Sequence, residues 1–372
     1  MSLLPSELSS HVLQYLDLRT LGRCCRVNKT WRNVIEGPNA QISLWKHRLS
    51  MEGWLNDDEI DAAVLKFKLV TAPISDAIDS DEEFSLSHKA RVNGQGNSDE
   101  QLPPNLYKNL FRYHHKIRLN WFQGKHRIIS FPGHAFNVVT CLQFDSDKIV
   151  SGSDDHTIHI YETTTGRLRR KLEGHEGGVW ALQYWNDVLV SGSTDRSVRV
   201  WDIETGRCKQ KFDGHTSTVR CLMIVAPIIN PVTGKMEPEF PLIVTGSRDS
   251  TLRVWRLPDI KNDPPFNIDG PSDDSIRNPF FMHVLNGHTS SVRAIAGHGN
   301  VLVSGSYDHN VRVWNLTEGR ATFCFEGHTE KVYSVGYSHE LERAASGSMD
   351  ATVRVWCCKT GQSLHVLKGF YY

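Results

Sequence analysis

The chain has 372 residues, enough for two or three domains, and its 42 Lys and Arg residues equal its 42 Asp and Glu residues. This balance excludes the strongly basic surface of a general nucleic-acid-binding protein, so no nucleic-acid partner is expected. No apolar run reaches the roughly 18 residues of a membrane span, and the start MSLLPSEL is unlike a signal peptide, so no membrane partner is expected. The eight cysteines show no C-x-x-C spacing, which favours a reducing compartment, the nucleus or the cytoplasm.

The segment 1–49 is predicted to be helical. In LPSELSSHVLQYLDLRTLGRCCRVNKTWRNVI, apolar residues recur at steps of three and four with polar residues between them, which is typical of short amphipathic helices. Pro5 marks a helix start, and the break at 17–20 separates two helices. About 50 residues make a marginal core, so we expect a partner protein to cover part of the apolar face.

Two different segments follow. Residues 50–104 are predicted to be an acidic, partly disordered linker, because positions 56–100 hold eleven Asp and Glu against four Lys and Arg. An acidic docking tract is the alternative. Residues 105–125 are predicted to be a linker helix, because YKNLFRYHHKIRLNWF places aromatic residues at helical spacing. A helix that packs domain against domain is favoured there over a nucleic-acid patch.

The segment 126–372 contains a repeat of about 40 residues. Gly-His pairs begin at 133, 174, 214, 287 and 327, and each precedes a small-Gly-Ser triplet, a turn aspartate and an aromatic residue. This pattern predicts WD-repeat propeller blades of four antiparallel strands each, and Pro- and Gly-rich loop insertions account for the long third interval. The aspartates are Asp155, Asp195, Asp249, Asp308 and Asp350, and the aromatic residues are Tyr161, Trp201, Trp255, Trp314 and Trp356.

Each repeat also combines a His, a hydroxyl residue and an Asp. A single set would suggest a hydrolase, but a set in every repeat indicates a structural brace, because a catalytic triad needs one convergent site. We therefore expect no catalytic residues, no metal site and no cofactor. Structural roles are assigned to His175, Asp195, Trp201, His215, Asp249 and Trp255.

Three positions in each repeat are predicted to line the rim of the central channel: the residue after the valine that follows Gly-His, and the residues on either side of the turn aspartate. These positions vary within a fixed frame, which indicates a binding surface, and Val139 is assigned to the first of them in the first repeat. Arg196, Arg220 and Arg248 occupy rim positions in consecutive repeats, and clustered guanidiniums suit a doubly charged phosphate. The arginines of the repeated R-V-W frame are expected to face solvent instead: Arg199, Arg253, Arg312 and Arg354.

The segment 4–49 resembles an F-box, and nearly the whole chain resembles the F-box/WD-repeat substrate receptors of SCF ubiquitin ligases, above all the cell-division-control phosphodegron receptor group. GHEGGVW, SGSTDRSVRVWD and GHTSTVRC carry the second part of this resemblance. The resemblance implies a small all-α F-box and a helical linker, followed by an all-β WD-repeat propeller. It also implies that the F-box binds the SCF adaptor protein, and through it the cullin scaffold, using Leu4, Pro5, Leu8, Val12, Leu16, Val27 and Trp31.

The resemblance further implies that the propeller is a non-catalytic receptor for phosphorylated protein substrates, which are then ubiquitinated and degraded, as in the cell cycle. Two alternatives stay open: a WD-repeat scaffold outside any ligase, and a sibling receptor such as the regulators of sulfur metabolism, which would not require the arginine cluster. The expected phosphodegron-binding residues are Arg196, Arg220 and Arg248, then Arg293 and Tyr307, with Trp180 and Thr194 flanking the peptide.

The resemblance implies eight blades, whereas the sequence supplies about five. HRIISF, residues 126–131, looks like an outer strand that completes a last blade, yet SLHVLK has the same role after Trp356. We therefore expect an incomplete eight-bladed ring, truncated at its C-terminal end, with exposed strand edges. A closed ring of five blades, with a wider angle for each blade, is the alternative. The resemblance implies a homodimerisation region ahead of the F-box, and we expect this region not to be present here.

Overall fold

Two compact units divide the chain, residues 1–128 and residues 129–372, and each has its own hydrophobic core. The predicted adaptor-binding residues Leu4, Pro5, Leu8 and Val12 lie outside the described residues, as does nearly all of the predicted acidic linker. The computed structural model describes residues 13–16, 18–27, 29–37, 41–53, 60, 106–229, 234–266 and 278–369.

The first unit is built from helices that share one apolar core. Trp45 is buried in this core, and its Nε1 donates a hydrogen bond of 2.9 Å to the carbonyl of Ile35. No helix within the described ranges is both long and apolar enough to cross a membrane. The helices are α1 (Leu18–Cys24), α2 (Lys29–Glu36), a π-helical turn (Gln41–Lys46) that continues into α3 (His47–Met51), and α4 (Leu106–Gln123).

The core of the helical unit is completed from within the chain. Leu106, Tyr107, Leu110 and Phe111 of α4 are buried in it, and the ring of Phe111 lies 5.6 Å from that of Trp45. α4 thus supplies apolar surface that residues 1–49 lack, and coverage of the remaining apolar face by a partner protein stays a prediction. The first half of α4 is therefore part of the core of this unit.

The second unit contains five four-stranded antiparallel sheets, one for each repeat, as the 40-residue period predicts. Blade 1 comprises β1 (Val139–Phe144), β2 (Lys148–Ser153), β3 (Ile158–Glu162) and β4 (Leu168–Leu172), and blade 2 comprises β5 (Val179–Trp185), β6 (Val188–Ser193), β7 (Val198–Asp202) and β8 (Cys208–Phe212). Blade 3 comprises β9 (Val219–Val225), β12 (Leu242–Ser247), β13 (Leu252–Arg256) and β14 (Phe281–Leu285), and its first insertion contains a hairpin of β10 (Ile228–Ile229) and β11 (Met236–Glu237). Blade 4 comprises β15 (Val292–His298), β16 (Val301–Ser306), β17 (Val311–Asn315) and β18 (Arg320–Phe325), and blade 5 comprises β19 (Val332–Ser338), β20 (Arg343–Ser348), β21 (Thr352–Cys357) and β22 (Ser363–Lys368).

A valine and a glycine join each blade to the next. The inner strands β1, β5, β9, β15 and β19 pack against one another in chain order. Val219 at the start of β9 is fully buried, and a Cβ on Gly192 of the preceding blade would lie only 2.5 Å from its Cγ1. The glycine of the small-Gly-Ser triplet is thus required because the next blade's valine occupies the place of its side chain. The same arrangement pairs Val179 with Gly152, Val292 with Gly246 and Val332 with Gly305.

The first blade has one extra residue before its inner strand. Val139 pairs with Ser153 in the way that Val179 pairs with Ser193. Val139 is therefore the blade 1 equivalent of Val179 and Val219, the valines that pack against the preceding blade. We call the valine at this position the scaffold valine, and Thr140, which follows Val139, takes the rim position. The prediction that Val139 lies on the rim is wrong by one position, because the extra residue lies between the Gly-His pair and the strand.

The arginines of the R-V-W frame pack against the scaffold and are buried or half-buried, contrary to the prediction that they face solvent. Arg199 is only 6% exposed. In blade 3, Gly214 has a φ of +139°, and a Cβ there would lie 2.7 Å from Arg253 Nη1. The guanidinium therefore fills the space beside the glycine of the Gly-His pair, which only a residue without a side chain leaves open. Arg199, Arg312 and Arg354 lie in the same way beside Gly174, Gly287 and Gly327.

An insertion of blade 3 reaches back to blade 2. Lys211 of β8 donates its backbone N–H to the carbonyl of Phe266 over 3.0 Å, and Gln210 Nε2 donates to the carbonyl of Pro264 over 2.8 Å. The inserted segment thus covers the outer edge of blade 2. It provides a second connection between the two blades that carry Arg196 and Arg248.

The two ends of the blade array are uncovered. Val139 is 48% exposed, whereas the equivalent valines of the other four blades are fully buried. Gly347 of blade 5 has no valine of another blade against it. Residues 126–131, predicted to be an outer strand, form no strand. The five described blades therefore do not close into a ring, as expected for an incomplete propeller.

Candidate functional site

A chain of hydrogen bonds braces each blade. In blade 2, Trp201 Nε1 donates to Ser191 Oγ over 2.8 Å, and Ser191 Oγ donates to His175 Nε2 over 2.7 Å. His175 Nδ1 then donates to Asp195 Oδ2 over 2.8 Å. Because an ionised carboxylate only accepts, Asp195 sets the direction of the whole chain of bonds. Blade 3 repeats it through Trp255, Thr245, His215 and Asp249.

Burial and hydrogen bonding fix the protonation state of this brace. Burial lowers the pKa of His175 by more than its hydrogen bond to Asp195 raises it. Burial would raise the pKa of Asp195, but hydrogen bonds from His175 and Ser197 outweigh burial and lower it. The imidazole is thus neutral and the carboxylate ionised near pH 7. In the described part of the chain, no three His, Cys, Asp or Glu side chains are grouped to hold a metal.

The braced turn positions the predicted rim residues. The backbone N–H of the residue before the turn aspartate donates a hydrogen bond to the carbonyl of the residue that precedes the scaffold valine. Thr194 donates in this way to the carbonyl of Gly178, and Arg248 donates to the carbonyl of Thr218, each over 2.9 Å. This hydrogen bond fastens the turn to the start of the inner strand. The rim residues of every blade therefore lie at one end of the inner strands, the end at which the chain enters them.

Cations and aromatic rings form a contact network across blades 2 to 5. The guanidinium of Arg220 lies 5.4 Å from the ring centroid of Trp180, and its Nη1 donates to Tyr307 Oη over 3.3 Å. The rings of Tyr307 and Tyr333 lie 5.2 Å apart, and Arg293 lies 5.9 Å from the Tyr333 ring. Burial would raise the pKa of Tyr307, but a hydrogen bond from Tyr333 and the charges of Arg220 and Arg293 lower it. The rim is thus electrically positive at Tyr307.

Arg196 and Arg248 are exposed at the turns of blades 2 and 3, and Thr194 is exposed beside Arg196. Within the described ranges, neither arginine side chain makes a hydrogen bond, ion pair or ring contact, and neither Arg220 nor Arg293 contacts a carboxylate. The structure therefore places four arginines at the same end of three adjacent blades without acidic partners. Positive charges at one end of the blades repel one another in the free protein, and an anionic ligand would relieve this repulsion.

Lys331 is a further charged residue at the rim, which was not among the predicted site residues. Its Nζ lies 5.1 Å from the ring centroid of Tyr307. Its carbonyl accepts a hydrogen bond of 3.0 Å from the backbone N–H of Met349, so Lys331 occupies in blade 5 the position of Gly178 in blade 2 and Thr218 in blade 3. The signal that identifies Arg196 also identifies Lys331, because it is a charged residue at a position that varies within a fixed frame.

The predicted adaptor-binding residues within the described ranges differ in exposure. Val27, which follows α1, is 62% exposed. Leu16 and Trp31 are half-buried and pack against the core of the helical unit. Of these three side chains, that of Val27 is the most exposed.

Comparison with known proteins agrees with this architecture. A family model described as F-box-like matches residues 1–49, and one described as WD domain, G-beta repeat, matches residues 125–162, 166–202, 206–256, 280–315 and 319–357. The F-box/WD repeat-containing protein sel-10 of Caenorhabditis elegans is 30% identical over 97% of this chain and 70% of its own length. The chain belongs to the F-box/WD-repeat proteins. The resemblance noted in the sequence is thereby confirmed.

Other F-box/WD-repeat relatives are longer than this chain. Cell division control protein 4 of Candida albicans is 43% identical over 99% of this chain and 51% of its own length, so the chain spans about half of that relative. The probable E3 ubiquitin ligase complex SCF subunit sconB of Arthroderma otae is 27% identical over 45% of this chain and 23% of its own length. A crystal structure of the computationally designed Ika8 protein matches with a TM-score of 0.50 and 30% identity, over 64% of this F-box/WD-repeat chain and 63% of the Ika8 chain.

Proposed function

We propose that this chain is the substrate-recognition subunit of an SCF ubiquitin ligase. Its F-box region binds the adaptor protein and through it the cullin scaffold, and its propeller rim binds phosphorylated protein substrates for ubiquitination and degradation. The chain itself is a non-enzymatic adaptor that raises the local concentration of a target lysine near the catalytic subunits. None of its eight cysteines forms a disulfide within the described residues, which fits action in the nucleus or the cytoplasm.

The uncompensated arginines of the rim carry the phosphate-binding part of this proposal. Arg220 is held between the ring of Trp180 and the hydroxyl of Tyr307, and both contacts orient the guanidinium without neutralising it. A phosphate group carries nearly two negative charges and accepts paired hydrogen bonds from guanidiniums. Arg196 and Arg248 are exposed at neighbouring turns, so we expect them to complete the phosphate site.

The residues beside the arginines suit the rest of a peptide. Trp180 is half-buried and leaves part of its ring open as an apolar wall for side chains next to the phosphate. Thr194 is exposed, so its hydroxyl is available to the peptide backbone. We expect both residues to flank the bound peptide.

Fluorescence anisotropy with a phosphothreonine-proline peptide and its unphosphorylated twin tests the rim. The phosphopeptide should bind at least about tenfold more tightly, and Arg248→Ala should remove most of this difference, because hydrogen bonds to a charged group are worth about 1.5 to 3 kcal/mol. Arg207→Ala is the matched control, since Arg207 is exposed at the opposite end of blade 2. Equal binding of the two peptides would contradict the proposal.

Co-purification with the SCF adaptor protein tests the helical unit. Val27→Asp should abolish co-purification without unfolding the chain, because Val27 is exposed. Met51→Asp is the control, since Met51 is 71% exposed at the end of α3. Adaptor binding that survives Val27→Asp would remove this residue from the interface. Phosphopeptide binding by a chain that never binds the adaptor would instead support a WD-repeat scaffold outside the ligase.

A further inference from the structure

Two histidines from neighbouring blades stack at the end of the inner strands that is opposite the rim. His298 is the last residue of β15, and His339 follows β19 directly. Their ring centroids lie 4.5 Å apart, with an angle of 31° between the ring planes. Both residues are exposed, and neither ring makes a hydrogen bond or ion pair within the part of the chain that the structure describes. The ring nitrogens are therefore open to a ligand.

Hydrogen bonds hold the turns that carry the two histidines. Asn300, two residues after His298, donates from Nδ2 to Asn315 Oδ1 over 2.9 Å. The carbonyl of His339 accepts a hydrogen bond of 3.2 Å from the backbone N–H of Glu342. Each turn is thus fixed within its own blade, so the scaffold brings the two imidazoles together and their stacking does not have to do so.

The repeated scaffold does not require a histidine here. Trp185 of blade 2 and Val225 of blade 3 are the equivalents of His298, since each ends its inner strand and pairs with the first residue of the second strand. Burial and the charge of His339 lower the pKa of His298, so its imidazole is neutral near pH 7. The neutral imidazole is the form that binds metal ions.

We propose that His298 and His339 form a binding site for one divalent transition-metal ion, such as Zn²⁺, which bridges blades 4 and 5. This inference does not depend on the function proposed above, and it departs from the expectation that the chain has no metal site. Two nitrogens that bind one tetrahedral Zn²⁺ at about 2.1 Å each lie about 3.4 Å apart. Rings with centroids 4.5 Å apart reach this separation by rotation about their side-chain bonds.

The chemistry of imidazole selects the ion. Imidazole suits Zn²⁺, Ni²⁺ and Cu²⁺, whereas Mg²⁺ and Ca²⁺ prefer oxygen ligands. Two protein ligands leave the other coordination positions to water, so the bound ion exchanges with solvent.

The bridging ion stabilises the junction of blades 4 and 5. Val332, at the start of β19, packs against Gly305 of blade 4 at the rim end of this junction, and the ion joins the same two blades at the opposite end. Because the ion needs both histidines side by side, its binding opposes separation of the blades.

Isothermal titration calorimetry of the full chain with Zn²⁺ tests the site. His298→Gln and His339→Gln should each weaken the binding of one Zn²⁺ at least about tenfold, since loss of an outer-shell partner alone costs that much. Both residues are exposed, so these variants should fold. The variant with both changes measures Zn²⁺ binding by other residues, including the cysteines. Mg²⁺ should not bind at this site.

His365→Gln is the matched control, since His365 is an exposed histidine on β22 of blade 5. This variant should keep the full affinity for Zn²⁺. Unchanged affinity in either His298→Gln or His339→Gln, or an equal loss in His365→Gln, would mean that Zn²⁺ binds elsewhere and would overturn the site.

Hydrogen exchange provides a second measurement. Zn²⁺ at 100 times its Kd should slow the exchange of β19 amides that depends on separation of blades 4 and 5 by up to about 100-fold. Both single glutamine variants should lose this protection. Zn²⁺ binding that leaves the exchange of β19 unchanged would overturn the bridge between the blades.

Discussion

The residue that follows each turn aspartate has a left-handed backbone conformation. Its φ is 73° at Arg196 and 60° at Ala351, in a region where a Cβ costs about 1 kcal/mol and glycine is favoured. Arg196 is exposed, and its side chain makes no contact in the described part of the chain that would offset this cost. Under the proposed function, Arg196 contributes to ligand binding rather than to the stability of its own turn.

Replacing this arginine should separate stability from binding. Arg196→Gly relieves the backbone conformation, so the free energy of unfolding should stay the same or rise by up to about 1 kcal/mol. Affinity for a phosphothreonine peptide should fall at least about fivefold, because one charge-assisted contact is lost. Ala351→Gly makes the same backbone change in blade 5 and should leave affinity intact. Urea denaturation and anisotropy measure both quantities, and full affinity in Arg196→Gly would exclude a role for this side chain.

At the scale of the blade, one repeated contact joins neighbouring sheets. The scaffold valine of each inner strand fills the space beside the triplet glycine of the blade before it, as Val219 does against Gly192. Blade 1 has the valine without the preceding glycine, since Val139 is half-exposed, and blade 5 has Gly347 without a following valine. Equivalent valines therefore contribute differently to the free energy of unfolding, according to whether a neighbouring blade covers them.

Valine-to-alanine substitutions measure this difference. Val219→Ala removes two buried methyl groups and leaves a cavity at the junction of blades 2 and 3, so it should lower the free energy of unfolding by about 2 kcal/mol. Val139→Ala makes the same chemical change at the equivalent, half-exposed position and should cost less than about 0.5 kcal/mol. Chemical denaturation of both variants gives the comparison. Equal losses would mean that another surface covers blade 1 in solution.

For the whole molecule, the sequence predicts the features that recur and misses those that occur once. The repeat predicts five blades, their braces and the rim, because each depends on residues within one period. The repeat does not reveal that Val139 belongs to the junction rather than the rim. The one added residue before the inner strand leaves every motif of blade 1 intact. The repeat assigns Arg199 to solvent, because strand alternation does not reveal the space beside Gly174. The helical core was underestimated because α4 joins it from a distant part of the sequence.

The open ends of the array predict a gradient of stability along the second unit. In a linear array of repeats, each unit is stabilised by its neighbours, so a terminal blade opens more readily than an internal one. Burial in the second strand agrees with this, because Ala345 of β20 is exposed, whereas the equivalent residues Val190 of β6 and Val244 of β12 are buried. Hydrogen exchange measured by mass spectrometry should therefore find amides of β20 exchanging at least about tenfold faster than those of β6. Equal protection of the two strands would show that blade 5 is covered in solution, either by a further blade or by a partner. The covering surface would then supply the apolar side chain that packs against Gly347.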